Sequence, residues 1–368
     1  MTTMTDVTAM LDDLAALVEA ESPSSDPIAC GVCADVLATI VDARLGIAAE
    51  RHDGGGSPAL VWRFGGPTRV LLVGHLDTVW PRGTLAEIPF RVDGDRVTGP
   101  GVFDMKAGLV QGISALATLR SLEGVTMLVT SDEELGSPGS RALVEREARG
   151  ALAALVLEPS AAGGALKSVR KGVSMYTMAV RGRAAHAGLE PERGVNALVE
   201  LAAQIPRIAA VSAPELGTTV TPTLASAGTA MNVVPELATV QIDARAAVVE
   251  EQDRVDRELR ALAPTLAGAS IDLTGGPNRP PLPATSSAGL LARARRVADE
   301  LGLGPLDDVA VGGGSDGNFT AGVGTPTLDG LGAVGDGAHA RHEWVDITAM
   351  HPRAALVAAL VADLLEQP

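Results

Sequence analysis

The chain reads as an α/β protein in two parts, a mostly parallel sheet with helices on both faces, interrupted by a smaller inserted α+β domain. Three observations predict this. Short apolar, β-branched runs at 70–73 (VLLV), 125–130 (VTMLVT) and 151–157 (ALAALVL) alternate with helix-length segments, the pattern of a parallel sheet. From about residue 172 the order changes to β-α-β-β-α-β, a ferredoxin-like arrangement of about a hundred residues. After GGPNRPPLP (275–283), which reads as a linker, the first style resumes. The expected division is therefore 1–171 plus 282–368 for the sheet domain and 172–281 for the insertion.

Taken in order, residues 6–21 form a helix with Leu11, Leu14, Leu17 and Val18 on one stripe. A second helix covers about 28–44. Strands follow near 59–64 and 69–74, then a helix over 105–122. VTMLVTSDEELGS (125–137) is a strand running into an acidic loop, and SPGSRALVERE is a helix with Pro138 near its start. ALAALVLEPS (151–160) is a strand ending in Glu158. In the insertion, GVSMYTMAVRG alternates like a half-exposed strand. A helix (193–211), strands near 218–226 and 237–246, a helix (250–263) and a strand (268–274) complete it. Helix 286–302, strand 307–311, the glycine-rich GGGSDGNF (312–319), a short strand in PTLDGLG and a helix near 346–366 close the chain.

Composition narrows the function. The 368 residues are 46% hydrophobic and 20% charged, which marks a folded globular chain with room for two domains. Only 2% are aromatic, so Ala, Val and Leu must build the core. Asp and Glu outnumber Lys and Arg by 45 to 29, a net charge of −16, which argues against nucleic acid or an anionic membrane as partner. The N-terminal MTTMTDVTAMLDDL lacks the basic-then-apolar order of a signal peptide, and no uncharged apolar run reaches the ~18 residues of a membrane span. A soluble, cytoplasmic protein is expected. Cys30 and Cys33 fall on one side of an apolar helix and have no second pair to complete a zinc ribbon, so they are read as core.

The chemistry gathers where strands end. His75 and Asp77 are two apart at the end of VLLVGH and project together from an extended segment. One ring nitrogen of His75 can bind metal while Asp77 takes the proton on the other. Asp104 follows in the glycine-rich GPGVFDMK. Glu133 and Glu134 follow LVTSD, Glu158 follows ALVL, and His339 lies in GDGAHARHEWV. Carboxylates crowded on one rim of a sheet repel one another, and divalent cations remove that cost. Being adjacent, Glu133 and Glu134 are not expected to face the same way, so one serves metal and the other substrate. Singly, each of these motifs has an ordinary structural explanation, such as a helix N-cap at Asp104 or a solvated acidic turn at Glu133 and Glu134.

Together they resemble the di-zinc metallopeptidase and deacylase family that includes glutamate carboxypeptidases, acetylornithine deacetylases and succinyl-diaminopimelate desuccinylases. GHLDTVWP, GPGVFDMKAG, TSDEELGS, LEPS, GRAAHAGLEPERGVNAL, GTAMNVVP and AHARHEWV occur in that family's order over nearly the whole chain. HAGLEPERGVNAL and GGGSDGN point to the glutamate carboxypeptidase branch. The resemblance implies two zinc ions, replaceable by manganese or cobalt. His75, Asp104 and Glu158 would hold one and Asp104, Glu134 and His339 the other, with Asp104 bridging. Glu133 would be the general base and then acid, and Asp77 would orient His75. A cis peptide is expected at Asp104–Met105.

The inserted domain would act as a lid and dimerisation domain, with His186 stabilising the oxyanion. Asn232 and Arg245 match substrate-binding positions, although Arg245 could equally be a structural salt-bridge partner. Arg279 is a candidate for gripping a substrate carboxylate through its planar fork. Gly313, Gly314 and Ser315 would lie against that carboxylate. His52 and His351 read as surface residues and His342 as exposed or adjacent to the metal ligands. The implied activity is hydrolysis of an amide bond in an N-acyl amino acid or short peptide with a free carboxylate, releasing a C-terminal amino acid such as glutamate. An N-acyl-amino-acid deacylase is the alternative within the enzyme class, and a metal-poor binding relative the alternative outside it.

Overall fold

A computed structural model of the protein describes residues 7–366. The chain divides into two compact units. The first comprises the chain up to Val169 together with Leu282–Val311 and everything from Ser315 onward; the second is Arg170–Pro281 with Gly312–Gly314.

The first unit is built on a six-stranded sheet. Its strands are ordered 50–54, 57–63, 125–130, 70–75, 153–156 and 327–328. The last four run parallel, and the first two add an antiparallel hairpin at one edge. Strand Val70–His75 is buried along its whole length because both faces are covered, which is why its sequence runs apolar without alternation. Val70 and Leu72 face a core shared with helices Val7–Glu19, Pro27–Leu45, Ala107–Ala117 and Ile347–Leu365. Leu71 and Val73 face the opposite core, closed by Leu143, Val144 and Phe319 from helices Arg141–Ala148 and Gly317–Gly322.

Local chemistry sets the helix ends. Asp26 accepts the Ile28 and Ala29 amides, Pro27 opens the helix and Gly46 closes it in the left-handed region. Cys30 and Cys33 are fully buried in this helix, and burial, aided by the nearby Asp77 charge, pushes the Cys30 thiol up to about 12. Helix Ile347–Leu365 is long and apolar enough to cross a membrane by length and composition, but it carries Arg353 and Asp363, so it is not an uncharged apolar run of the kind the sequence was expected to lack. Its Met350, Leu356, Val357, Leu360 and Val361 are instead buried in the sheet domain.

Two glycines bring the site together. A Cβ on Gly74 would fall 2.6 Å from Leu109 Cδ2, and one on Gly108 would fall 2.0 Å from the Leu157 carbonyl oxygen. Helix Ala107–Ala117 can therefore press its first turn onto the ends of the strands that carry His75 and Glu158. The expected helix over 105–122 starts later and ends earlier, because Val102–Lys106 forms a separate irregular turn with a cis Asp104–Met105 peptide.

The second unit is an antiparallel sheet ordered 219–227, 237–246, 172–181, 270–279, the ferredoxin-like order. Helices Ala197–Ala209 and Val249–Arg260 cover one face, burying Tyr176, Met178, Val180, Val240 and Ile242 among Leu201, Ile208, Val255 and Leu259. The stretch expected to be a linker is not one as far as residue 279. Strand Ser270–Arg279 runs through GGPNR, pairing Gly275 with Tyr176 and Arg279 with Val173. Gly275 makes this possible: a Cβ there would lie 2.2 Å from the Met175 carbonyl oxygen. Glycine and proline in this segment serve a close backbone approach and a bulge rather than a flexible connection.

Candidate metal centre

The metal candidates converge in the first unit. His75 ends its strand with its ring buried; its Nδ1 lies 2.9 Å from the backbone carbonyl of Asp77 and 3.4 Å from Asp77 Oδ1. The carbonyl is therefore the nearer acceptor for the Nδ1 proton, and the carboxylate assists. Both fix the tautomer that turns Nε2 toward the cluster. Nε2 lies 3.3 Å from Asp104 Oδ1 and 3.5 Å from Glu158 Oε1. His339 Nε2 lies 3.3 Å from Asp104 Oδ2 and 3.0 Å from Glu134 Oε1. Asp104 thus divides its two oxygens between two groups of ligand-type atoms, each group lying within 4.8 Å. Ligand atoms around a four-coordinate ion with bonds near 2.0–2.1 Å stand about 3.3 Å apart, so these separations fit such an ion. Asp104 Oδ1 is buried with no hydrogen-bond donor among the described residues, a costly position for a carboxylate oxygen unless a cation meets it.

The electrostatics agree. Burial opposes charge on His75, but Asp104, Asp77 and Glu158 outweigh it and raise its pKa well above the usual value. Asp104 and Glu134 hold His339 up to about 10. Burial pushes Asp104 upward, yet the facing His339 and His75 imidazoles keep it well below the usual carboxylate range, while burial raises Glu134.

Glu133 differs from expectation in its direction. Glu133–Leu135 is one turn of 3-10 helix, not extended chain, so consecutive side chains diverge by about 120° rather than 180°. Glu133, Glu134 and His75 accordingly each bring a ligand-type atom within 4.8 Å of the others. The Asp77 carboxylate has a second task here, accepting the Glu133 amide at 3.3 Å and the Glu134 amide at 3.2 Å. Burial drives Asp77 upward, but the contacts with His75 lower it overall and keep it ionised.

Three carboxylates went unremarked in the sequence. Asp132 accepts the Gly139 and Ser140 amides and the Ser140 hydroxyl. Asp316 accepts the hydroxyls of Thr130 and Ser137. Both brace the turn that carries Glu133 and Glu134. Glu343 is buried beneath Asp104 and accepts its amide. The available signal was an acid inside an otherwise apolar or glycine-rich stretch.

The remaining candidates are placed as follows. Ser315 is fully buried, its hydroxyl donating to Asp329 and its amide to Asn318. In the second unit, His186 Nδ1 accepts the Gly188 and Leu189 amides, both at 3.1 Å, which leaves Nε2 as the protonated nitrogen of the neutral ring. Asn232 is exposed and its carbonyl accepts the Ala187 amide. Arg245 makes a two-point ion pair with Asp243, two residues along its own strand. Arg279 is buried at the end of its strand. The Gly313 and Gly314 carbonyls both accept from Arg170. His351 is half-buried on helix Ile347–Leu365, and His52 is half-buried on the edge strand.

The model of peptidase family M20/M25/M40 matches residues 71–363. The chain belongs to peptidase family M20. Carboxypeptidase G2 from Pseudomonas sp. (strain RS-16) is 35% identical over 309 residues, covering 81% of this chain and 74% of the relative. Succinyl-diaminopimelate desuccinylase from Wolinella succinogenes is 26% identical over 340 residues, 88% of this chain and 91% of the relative. Among solved structures, the M20 family metallo-carboxypeptidase Sso-CP2 from Sulfolobus solfataricus superposes with a TM-score of 0.75 at 15% identity, covering 96% and 98% of the two chains. The M20 chain described here is a hydrolase of the metallo-carboxypeptidase and deacylase class.

Proposed function

We propose that this M20 enzyme is a two-zinc carboxypeptidase that cleaves the amide bond of an N-acyl amino acid or short peptide with a free carboxylate and releases the C-terminal amino acid. The observation that carries the reading is Asp104, whose two oxygens face two separate nitrogen-and-oxygen ligand groups. His75, Asp104 and Glu158 would hold one ion and Asp104, Glu134 and His339 the other. A ligand set without thiolate suits catalytic rather than structural zinc, and manganese or cobalt would also be accepted. Bound there, the ions would supply Lewis-acid polarisation of the scissile carbonyl and acidify the attacking water.

The chain's own groups do the rest. Glu133 takes the proton of the attacking water and then delivers it to the departing amine. Asp77 fixes the His75 tautomer through its carbonyl, assisted by its carboxylate, and the carboxylate holds the Glu133 amide, so one residue sets a ligand and the base together. His186 is assigned to the oxyanion, and its protonated Nε2 is the donor that role needs. Asn232, Arg279, Gly313 and Gly314 are assigned to substrate recognition. Arg245 shares that assignment through exchange of its Asp243 partner, and Ser315 through anchoring the glycine loop. The enzyme is proposed to work in the cytoplasm as a homodimer joined through the second unit, with the exposed edge strand Thr219–Ala227 as its seam.

The test is purification without chelator, metal counting and a substrate panel of N-acyl amino acids and dipeptides that includes C-terminal glutamates. About two zinc ions per chain, activity lost to chelator and restored by zinc, and fastest release from a peptide-type acyl donor support the reading. Preference for simple N-acetyl or N-succinyl substrates would move it to the deacylase alternative. Absence of bound metal and of turnover under metal supplementation would overturn it.

A further inference from the structure

Glu343 is 1% exposed, and its carboxylate is used to capacity. Oε1 accepts the amides of Phe103 at 2.8 Å and Asp104 at 3.0 Å. Oε2 accepts the Gly101 amide at 2.9 Å and the Trp80 indole Nε1–H at 2.9 Å. Four donors on one buried carboxylate fix its position and orientation, and charged acceptors make the stronger hydrogen bonds. The three segments that these bonds join matter more than the number. Trp80 lies five residues beyond His75, Gly101–Asp104 is the turn that ends in the bridging carboxylate, and Glu343 itself sits four residues after His339.

The His339 segment is tightly wound. The Ala340 amide donates to Gly337 and the Glu343 amide to Ala340, at 2.8 and 2.9 Å. A Cβ on Gly337 would fall 2.9 Å from Glu343 Cα, and His339 has a φ of +61°. His339 therefore cannot shift far without moving Glu343. His339 has a half-exposed side chain, and it is the candidate ligand least restrained by its own surroundings.

We propose that Glu343 is a positioning residue that sets the spacing between Asp104 and His339, and so selectively fixes the ion site formed by Asp104, Glu134 and His339. The proposal rests on the ligand assignment made above. Glu343 touches neither substrate nor ion; it acts through the backbone of Asp104. The site of His75, Asp104 and Glu158 depends on it less, because His75 ends its strand and Glu158 follows two residues after the neighbouring strand Ala153–Val156.

The test uses the full-length protein, stripped of metal and titrated with cobalt(II) while its visible spectrum is followed. Glu343→Gln keeps the shape and one pair of acceptor contacts but turns an NH2 group toward the other pair of donors. It is expected to bind the first ion as the parent does and the second about 10- to 100-fold more weakly, with an altered two-ion spectrum and kcat lowered more than KM is changed. Glu343→Asp keeps the charge on a shorter arm and is expected to fall between the two; it also serves if the Gln protein does not fold. Arg341→Ala, which breaks only the exposed pair with Glu87 on the same segment, is expected to bind both ions like the parent. A merely structural Glu343 would lower the melting temperature of the metal-free protein yet leave both cobalt affinities and the spectrum unchanged in the folded variants, and that result overturns the proposal. A parent protein that bound no cobalt would overturn the ligand assignment itself.

Discussion

In the first unit the sheet is covered on both faces, and the chemical groups sit at strand ends whose backbones are fully buried. His75, Asp77, Glu133 and Glu158 are all buried, and each is held by strand ends, turns or other carboxylates. In the second unit the sheet is covered on one face, and His186 and Asn232 lie on loops tied by a few backbone hydrogen bonds. The difference teaches where each kind of precision comes from. A metal site needs several charged atoms placed to within fractions of an ångström, and here a buried, doubly covered scaffold with internal counter-charges holds them, His339 being the half-exposed exception. A substrate contact needs one donor or acceptor that can approach and withdraw, and a loop suffices.

Several substitutions would sharpen or break that contrast. Asp104→Asn removes the charge shared by both ligand groups, and we expect loss of both ions and a fall in kcat of more than about a thousandfold, read by metal analysis and turnover. His186→Ala is expected to lower kcat by about 10²- to 10³-fold with both ions retained. If it released metal instead, the separation of roles between the units would fail.

Glu200 tests the second unit's own stability. Burial would raise its pKa, but donors from Gln204, Thr265 and Leu266 outweigh it and bring it to about 2. A folded pKa below the unfolded value of about 4.3 means the stabilisation is present above that value and is lost as pH falls toward 2. Glu200→Gln is expected to cost about 1–3 kcal/mol at pH 7, with the gap to the parent narrowing between about pH 4.5 and 3 in urea titrations. Leu224→Ala, at an exposed position on the edge strand, should change the stability of the folded chain by no more than about 0.5 kcal/mol, whereas Leu72→Ala in the doubly covered sheet should cost about 2–5 kcal/mol.

The sequence made much of this legible, for identifiable reasons. Buried parallel strands write themselves as continuous apolar runs, so VLLV and VTMLVT located the sheet, and the polar residues that end such runs located the rim. The ligand-type residues of the resemblance, His75, Asp104, Glu134, Glu158 and His339, meet in two groups in the folded chain. What stayed hidden depends on pairing across long stretches of chain. GGPNR looks like a linker until its partner strand is known, since a glycine required for close approach and a glycine required for flexibility are the same letter. Glu343 and Asp316 serve backbone amides and hydroxyls 179 to 242 residues away, which leaves no local spacing to recognise. Glu133 and Glu134 were resolved only by the 3-10 turn, a geometry that two adjacent acids do not announce.

The central claim is that the first unit holds a metal-dependent hydrolase centre in which Glu133 moves the proton. The most direct measurement is turnover by the Glu133→Gln protein, loaded with zinc and with its metal content counted in the same sample. The account predicts the parent's metal content with kcat lowered by about a thousandfold or more. Full activity in the metal-loaded variant would contradict it.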